Sequence, residues 1–354
     1  MSHGIHVLRL AGSPTQMGES HGEARADDIG AYLSSRIALA GQGNDLSREQ
    51  LLMLAEACLP AHRDYAPDLY AEMLAMADAA GISAAEAVIV GGYTDFLDVV
   101  RAYAGSAPVE DQCTAILIPA ARADAGALLA QTWDMNASAA PFVLMLELHP
   151  ENQPAAMLFS TAGCIGQIGM NSAGVAIGIN NLAANDGRFG VTWPFVVRKA
   201  LQQASAADAL RCIREAPLAG AHSFLVLDRD GEGYMVEAMP SAQHVVRLAD
   251  MPLIHTNHCL EALTREWQGP RPENLSHHSR TRLSHAQAFA RRDIITPECL
   301  MAMTRDTRAI CHRTQPDMDI HTCGAVVMCP QSGQLWACEG LPSENPYECF
   351  RVPE

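Results

Sequence analysis

Apolar and polar positions along the chain change texture once, near residue 112. Between residues 13 and 104 apolar side chains recur at helical spacing. Three segments there open in the same way: Ser13-Pro14-Thr15-Gln16, Ser47-Arg48-Glu49-Gln50 and Ser83-Ala84-Ala85-Glu86. Each sets a hydroxyl three residues ahead of Gln or Glu, so the two ends satisfy each other's exposed backbone N–H groups at a helix start. From Cys113 onward short β-branched and apolar runs, bounded by Gly, Asn and Asp, predict strands at 142–148, 155–160, 164–169 and 173–180. A helical interlude follows at about 194–215, then strands at 223–228, 233–239, 243–247 and 252–256. Helices are predicted near 277–291 and from Thr296-Pro297, where Thr caps and Pro takes the first helical position. Strands at 324–329, 334–338 and 347–351 close the chain.

Strands grouped together, helices grouped separately and no regular β-α-β alternation predict an α+β layered fold rather than a doubly wound sheet. The division falls into a mainly helical 1–112 and a strand-rich 113–354. Gln268 to Asn274, rich in Pro and Gly, is predicted to be a surface loop, and the histidines His277, His278 and His285, set among arginines, a solvated helix face.

Composition narrows the function more than the fold. The 354-residue chain carries a net charge of −16, and Lys199 is its only lysine. Neutralising phosphates takes clustered basic side chains, so a nucleic-acid partner is disfavoured, and an anionic membrane surface for the same reason. No leader pattern opens the sequence, and no uncharged apolar run is long enough to cross a bilayer. Eleven cysteines without a C-x-x-C pair suit a reducing cytoplasm, with most of them small buried hydrophobes. A cytoplasmic location is the expectation.

The candidate chemistry starts at Cys113, which opens an apolar strand hairpinned onto a second run ending in Trp133-Asp134. A thiol has an ordinary pKa of about 8.5 and needs a base to act at neutral pH. Cutting the Gln112–Cys113 bond would give Cys113 an α-amino group of reference pKa about 7.7 to 8, so one residue would hold both nucleophile and base. Alone, such a cysteine reads as a buried strand residue, and the groups around it change that reading. Asp134 is suited to orient the amine, and Asn257, in the segment that follows the apolar run Met251-Pro252-Leu253-Ile254, to donate to a developing oxyanion. Ser223 opens another strand and is a candidate partner of the amine, while Trp133, Asn180, Asn181 and His255 are candidate substrate contacts. Gln131 reads as a strand residue. His255, His258 and Cys259 lack the spaced-pair pattern of a closed zinc site, so no metal is expected. Gly163 to Val175 spaces its glycines wrongly for a dinucleotide and reads instead as a hairpin turning at Asn171-Ser172-Ala173-Gly174.

Taken together these residues resemble the acyl-coenzyme A:6-aminopenicillanic acid acyltransferase family of cysteine N-terminal-nucleophile (Ntn) hydrolases. Met17-Gly18 through His21-Gly22, Cys113-Thr114, Gln131-Thr132-Trp133-Asp134, Gly166 to Asn181 and His255-Thr256-Asn257-His258-Cys259-Leu260 carry the resemblance over nearly the whole chain. It implies an αββα sandwich, a precursor that cuts itself between Gln112 and Cys113, and α and β chains that stay associated. It also implies roles for Asp134, Ser223 and Asn257 around the nucleophile. The sequence departs from the family at Gln112, where the penicillin-forming enzyme has Gly, in a longer loop between nucleophile and Asp134, and at Thr322-Cys323-Gly324, which replaces Ser-Arg-Gly. Arg308 and Arg313 are the candidates to compensate for that arginine.

The expected function is therefore self-processing amidohydrolysis of a small linear amide through a Cys113 thioester, without a cofactor. Acyl-CoA-dependent N-acyl transfer and a non-catalytic binding protein are the rivals. The acidic balance mildly favours a cationic substrate, and homo-oligomerisation is left open.

Overall fold

The computed structural model describes residues 4–108, 112–315 and 318–353. After β1 (Val7–Gly12) come six helices: α1 (Pro14–Ala40), α2 (Arg48–Glu56), α3 (Leu59–Tyr65), α4 (Pro67–Ala80), α5 (Ala84–Gly91) and α6 (Tyr93–Ala104). All three expected capping boxes form, with Ser13, Ser47 and Ser83 each accepting from the backbone three residues on, and Gln16, Gln50 and Glu86 reaching back. α1 lies against α4. A Cβ on Gly18 or Gly22 would land on the carbonyl oxygens of Glu72 or Met76, so the two helices approach to backbone contact at a glycine pair one turn apart.

The strands are β2 (Gln112–Ile118), β3 (Leu128–Met135), β4 (Val143–Pro150), β5 (Ala156–Thr161), β6 (Ile168–Asn171) and β7 (Ala176–Asn181), then β8 (His222–Leu227), β9 (Gly233–Ala238), β10 (Gln243–Arg247) and β11 (Leu253–His255). Between β7 and β8 lie α7 (Trp193–Ala200) and α8 (Ala206–Glu215). After β11 come α9 (Ala262–Arg265), α10 (Glu273–Phe289) and α11 (Pro297–Thr304), capped by Thr296. β12 (His321–Cys329), β13 (Gln334–Glu339) and β14 (Glu348–Arg351) end the chain.

Two sheets result. One runs β1-β4-β5-β6-β7-β8-β9-β10, the other β11-β2-β3-β12-β13-β14. They face each other through β2 and β3 on one side and β7 and β8 on the other. α1 and α8 cover the first sheet at β1 and at β8 and β9, while α10 and α11 cover the second at β2, β11, β3 and β12. The order helix, sheet, sheet, helix is the expected αββα sandwich. Its main core draws on both sides of residue 112, from Leu10, Met17 and Phe96 to Leu129, Phe159 and Val326.

Gln131 does more than fill a strand. Its side-chain amide accepts from Ile179 N at 2.7 Å and donates back to the Ile179 carbonyl, so β3 treats β7 of the opposite sheet as a hydrogen-bonding partner. Gly178 leaves the space for it, because a Cβ there would meet Gln131 Oε1. The expected hairpin turn forms at Asn171 to Gly174, where Asn171 Oδ1 accepts from Val175 N at 2.8 Å and Gly174 takes φ +88°. The Gln268–Asn274 loop is tied down more than predicted: Gly269 is buried and Gln268 Oε1 accepts from Cys259 N. Among the described residues no single helix is long and apolar enough to cross a membrane.

Candidate active site

β2 places the candidate nucleophile. Strand alternation sends Cys113, with Ala115 and Leu117, into the core between the sheets, and turns Gln112, Thr114 and Ile116 toward α10 and α11. Cys113 stands opposite Trp133 in β3, and Gln112 opposite Asp134. Cys113 is 2% exposed and lines a cavity of about 30 Å³, room for about one water molecule. Tyr32, Arg36, Tyr93, Trp133, Asn181 and His222 share that wall.

The backbone N–H of Cys113 donates to Asn257 Oδ1 at 2.7 Å. Arg282 Nη2 donates to the same oxygen at 2.9 Å, and Asn257 Nδ2 donates to the Asn181 carbonyl at 3.1 Å. Two donors on one atom fix the amide orientation by the hydrogen-bond network. Asn257 thus presents its oxygen to the Cys113 nitrogen, while one of the two Nδ2 hydrogens is directed at the Asn181 carbonyl.

Arg282 is the residue that sequence reading missed. It is 1% exposed, and besides Asn257 it donates to the Cys113 carbonyl, the Gln112 Oε1 and, at 3.0 Å, the Thr114 hydroxyl. One guanidinium therefore binds both residues flanking the expected scissile bond and the amide beside it. α10 delivers it, burying Leu275, Ser279, Arg282 and Ala286. Ser279 Oγ accepts from Asn257 N at 2.9 Å and lies 2.7 Å from His258 Nδ1, so the same helix face also holds the loop after β11. The signal was available: spacings of four, three and four put Arg282 on the stripe of Leu275 and Ala286. The solvated-face reading holds for His277, which is exposed, whereas His285 pairs with Asp306.

The other sequence candidates divide. Asp134 is fully buried, and its Oδ1 accepts from the Thr322 hydroxyl at 2.7 Å. Thr322 stands just before a register shift in β12 at Cys323. Ser223 faces Asn180 in register, and both are fully buried. The Ser223 hydroxyl and both Asn180 amide atoms have no hydrogen-bond partner. Asn181 and Trp133 line the cavity with Cys113, whereas Asn180 and Ser223 are absent from its wall. His255 is absent as well. Its ring is fully buried, with Nε2 2.8 Å from Glu237 Oε1 and Nδ1 2.8 Å from the Thr256 carbonyl. That places His255 in a polar tie between β11 and β9.

The missing family arginine is not supplied by the two expected residues. Arg308 is exposed and held by Asp306, and Arg313 is exposed and held by Glu344. Burial raises the Cys323 thiol to about 12, helped by the Asp134 charge and opposed by that of Arg36. His258 is depressed to about 4, chiefly by burial and then by His255 and Arg282.

A profile of the acyl-coenzyme A:6-aminopenicillanic acid acyl-transferase family matches residues 121–344, a stretch that begins after Cys113 and includes Asp134, Ser223, Asn257 and Arg282. The 40 kDa form of acyl-coenzyme A:6-aminopenicillanic-acid acyltransferase from Emericella nidulans is 27% identical over 280 residues, 78% of this chain and 76% of that one. Two solved structures show more distant likeness. A Caenorhabditis elegans N-acylethanolamine-hydrolyzing acid amidase ortholog has a TM-score of 0.43 at 15% identity, over 62% of this chain and 93% of that one. A variant of conjugated bile acid hydrolase from Clostridium perfringens has a TM-score of 0.40 at 11% identity, over 68% and 97%.

Proposed function

The chain belongs to the acyl-coenzyme A:6-aminopenicillanic acid acyl-transferase family, and from that premise we propose that it is a self-processing cysteine Ntn amidohydrolase acting on a small linear amide. The observation that carries the reading is the fixed geometry of the Gln112–Cys113 bond. Its nitrogen is hydrogen-bonded to Asn257, the residues on both sides are gripped by Arg282, and the adjoining thiol faces the intersheet cavity.

In self-cleavage the Cys113 sulfur attacks the Gln112 carbonyl carbon. An S–C bond forms, the C–N bond breaks, and the thiol proton ends on the departing Cys113 nitrogen. Water then hydrolyses the thioester, leaving a Gln112 carboxylate and a free Cys113 thiol. Asn257 Oδ1 already holds that nitrogen, so it also orients the α-amino group that results. In turnover the amine takes the thiol proton and passes it to the leaving amine, while the thiolate adds to the substrate carbonyl. Oxyanion stabilisation falls to backbone N–H groups and to the side-chain amide N–H of Asn257.

Hydrolysis is preferred to coenzyme A-dependent transfer because coenzyme A brings phosphates, and the single lysine, Lys199, is committed to the Tyr65 carbonyl and ring.

Denaturing intact-mass spectrometry of wild type beside Cys113→Ala tests the proposal. Two wild-type masses, for 1–112 and 113–354, with the variant whole, support it. A wild type that stays whole through prolonged incubation refutes self-processing. Adding acyl-CoA thioesters with and without an amine acceptor then separates transfer from hydrolysis.

A further inference from the structure

Self-cleavage has to move the Cys113 thiol proton before the α-amino group that carries it in turnover exists. In the uncleaved chain that nitrogen is still an amide donating to Asn257 Oδ1, so another group has to take the proton and return it. Among the described residues His222 is the one imidazole on the wall of the cavity that Cys113 lines, and no Asp or Glu is there. Imidazole is the side chain that both accepts and gives up a proton near neutrality. Cys164 and Tyr32, on the same wall, are poorly suited to it, because burial raises the Cys164 thiol to about 11 and lifts the Tyr32 phenol above its ordinary value.

β8 sets the ring there. Alternation sends Ser223 to one face of the strand and His222 to the other, so the cavity wall carries His222 and not the serine to which the sequence pointed. The ring is 2% exposed and packs on Trp193, with ring centres 5.5 Å apart. Its Nδ1 stands 2.9 Å from Oδ1 of Asp95, a fully buried carboxylate on α6, close enough for an ion pair though not aligned as a hydrogen bond. Asp95 Oδ2 accepts from Trp193 N at 2.7 Å, which fixes the carboxylate from its other side. Gly220 makes room for the pair, because a Cβ there would meet Asp95 Oδ1. Nε2 makes a long contact of 3.4 Å with the hydroxyl of Thr94, itself on the cavity wall. A hydrogen on Nδ1, facing the carboxylate, leaves Nε2 as the accepting nitrogen on the cavity side.

We propose that His222, held by Asp95, carries the proton of self-cleavage. Nε2 takes the Cys113 thiol proton across the cavity, which has room for about one bridging water molecule. The thiolate adds to the Gln112 carbonyl carbon, forming the S–C bond. The imidazolium, stabilised by the Asp95 carboxylate, returns the proton to the Cys113 nitrogen as the C–N bond breaks, and the ring is left as it began. Thiol and nitrogen belong to one residue, so a single base beside it serves both ends of the transfer. This role for His222 rests on the self-processing proposed above, and the test tells the two apart.

Wild type, His222→Ala and Asp95→Asn are each made by cell-free synthesis, and the fraction of whole chain is followed over time by denaturing intact-mass spectrometry. His222→Ala is expected to slow cleavage by about 100-fold or more. Added imidazole should restore part of that rate in proportion to its concentration, a response that a merely structural histidine would not give. Asp95→Asn keeps the shape and an acceptor for Trp193 N, but it offers an N–H to Nδ1. The ring hydrogen then moves to Nε2, and cleavage should slow on a similar scale. That variant keeps the imidazole, so a misfolded His222→Ala does not shelter the idea. Either variant cleaving within a few-fold of wild type overturns the role of His222, while self-processing stands. A folded, slow His222→Ala that imidazole does not quicken overturns it too. A wild type that stays whole refutes self-processing, and the proton relay falls with it.

Discussion

Arg282 concentrates the site's electrostatics in one side chain. Its acceptors are the Gln112 side chain, the Cys113 carbonyl, the Thr114 hydroxyl and Asn257, all buried. Removing it takes a charged donor from each of those acceptors and loosens the setting of the Gln112–Cys113 bond. Arg282→Met is expected to slow self-cleavage by about 100-fold, the scale of losing a buried charged hydrogen-bond partner. Arg282→Lys should recover only part, because a point ammonium cannot span the same acceptors. The fraction of whole chain by intact mass over time measures both, and full-speed cleavage in Arg282→Met would remove Arg282 from the process. Cys113, Asp134 and Asn257 were legible in the sequence because each ends or begins an apolar run. Arg282 and Arg36 were not, because an arginine inside a polar helix carries no local mark of burial. Only the spacing of Arg282 from Leu275 and Ala286 hinted at it.

Among the elements, α1 depends on its glycines. Gly18 and Gly22 let α1 meet α4 at backbone distance, and β1 runs directly into that helix. Gly22→Ala is expected to destabilise the fold by about 1 to 3 kcal/mol through overpacking, despite the better helix propensity of alanine. A lower urea midpoint at unchanged slope would show it, and an unchanged midpoint would mean that the helices can separate at no cost. The helix starts were readable because a capping box is a local hydrogen-bond device. β1 was not read as a strand. It buries only Leu10, and its pairing is parallel to β4, far along the chain, so neither alternation nor a neighbouring turn announces it. The expected strand at 164–169 shortens to β6, because Gly163 to Gly166 form a bend instead.

For the whole molecule, one core joins the two sides of the 112–113 bond. β1 lies within the first sheet, and α1 to α6 share the main core with β3, β5 and β12. Processed protein is therefore expected to elute as one species in size-exclusion chromatography and to separate into two chains only in denaturant. Two peaks under native conditions would contradict that. Acid should weaken the fold early. His21, His62 and His258 are depressed to about 4 from 6.5, each chiefly by burial. Between those values the unfolded chain binds more protons than the folded one, so stability is full above about 6.5 and falls as pH drops toward 4. Urea midpoints across that window should decline with pH, and a flat profile would refute the assignment.

The sequence by itself determined the helix starts, the switch to strands at Cys113, the layered α+β class and the candidate side chains at the strand ends. These depend on neighbours within a few residues, or on a period of 2 or 3.6 that recurs along one segment. Only the tertiary structure decided which face of Asn257 meets the Cys113 nitrogen, that His255 is tied to Glu237, and that Gln131 links the two sheets. It also decided that the cation in the cavity is Arg36 rather than Arg308 or Arg313. Each of those pairings joins residues from separate layers of the sandwich or from strands distant in sequence. The packing that brings them together is set by burial summed over the whole core, which no local pattern encodes.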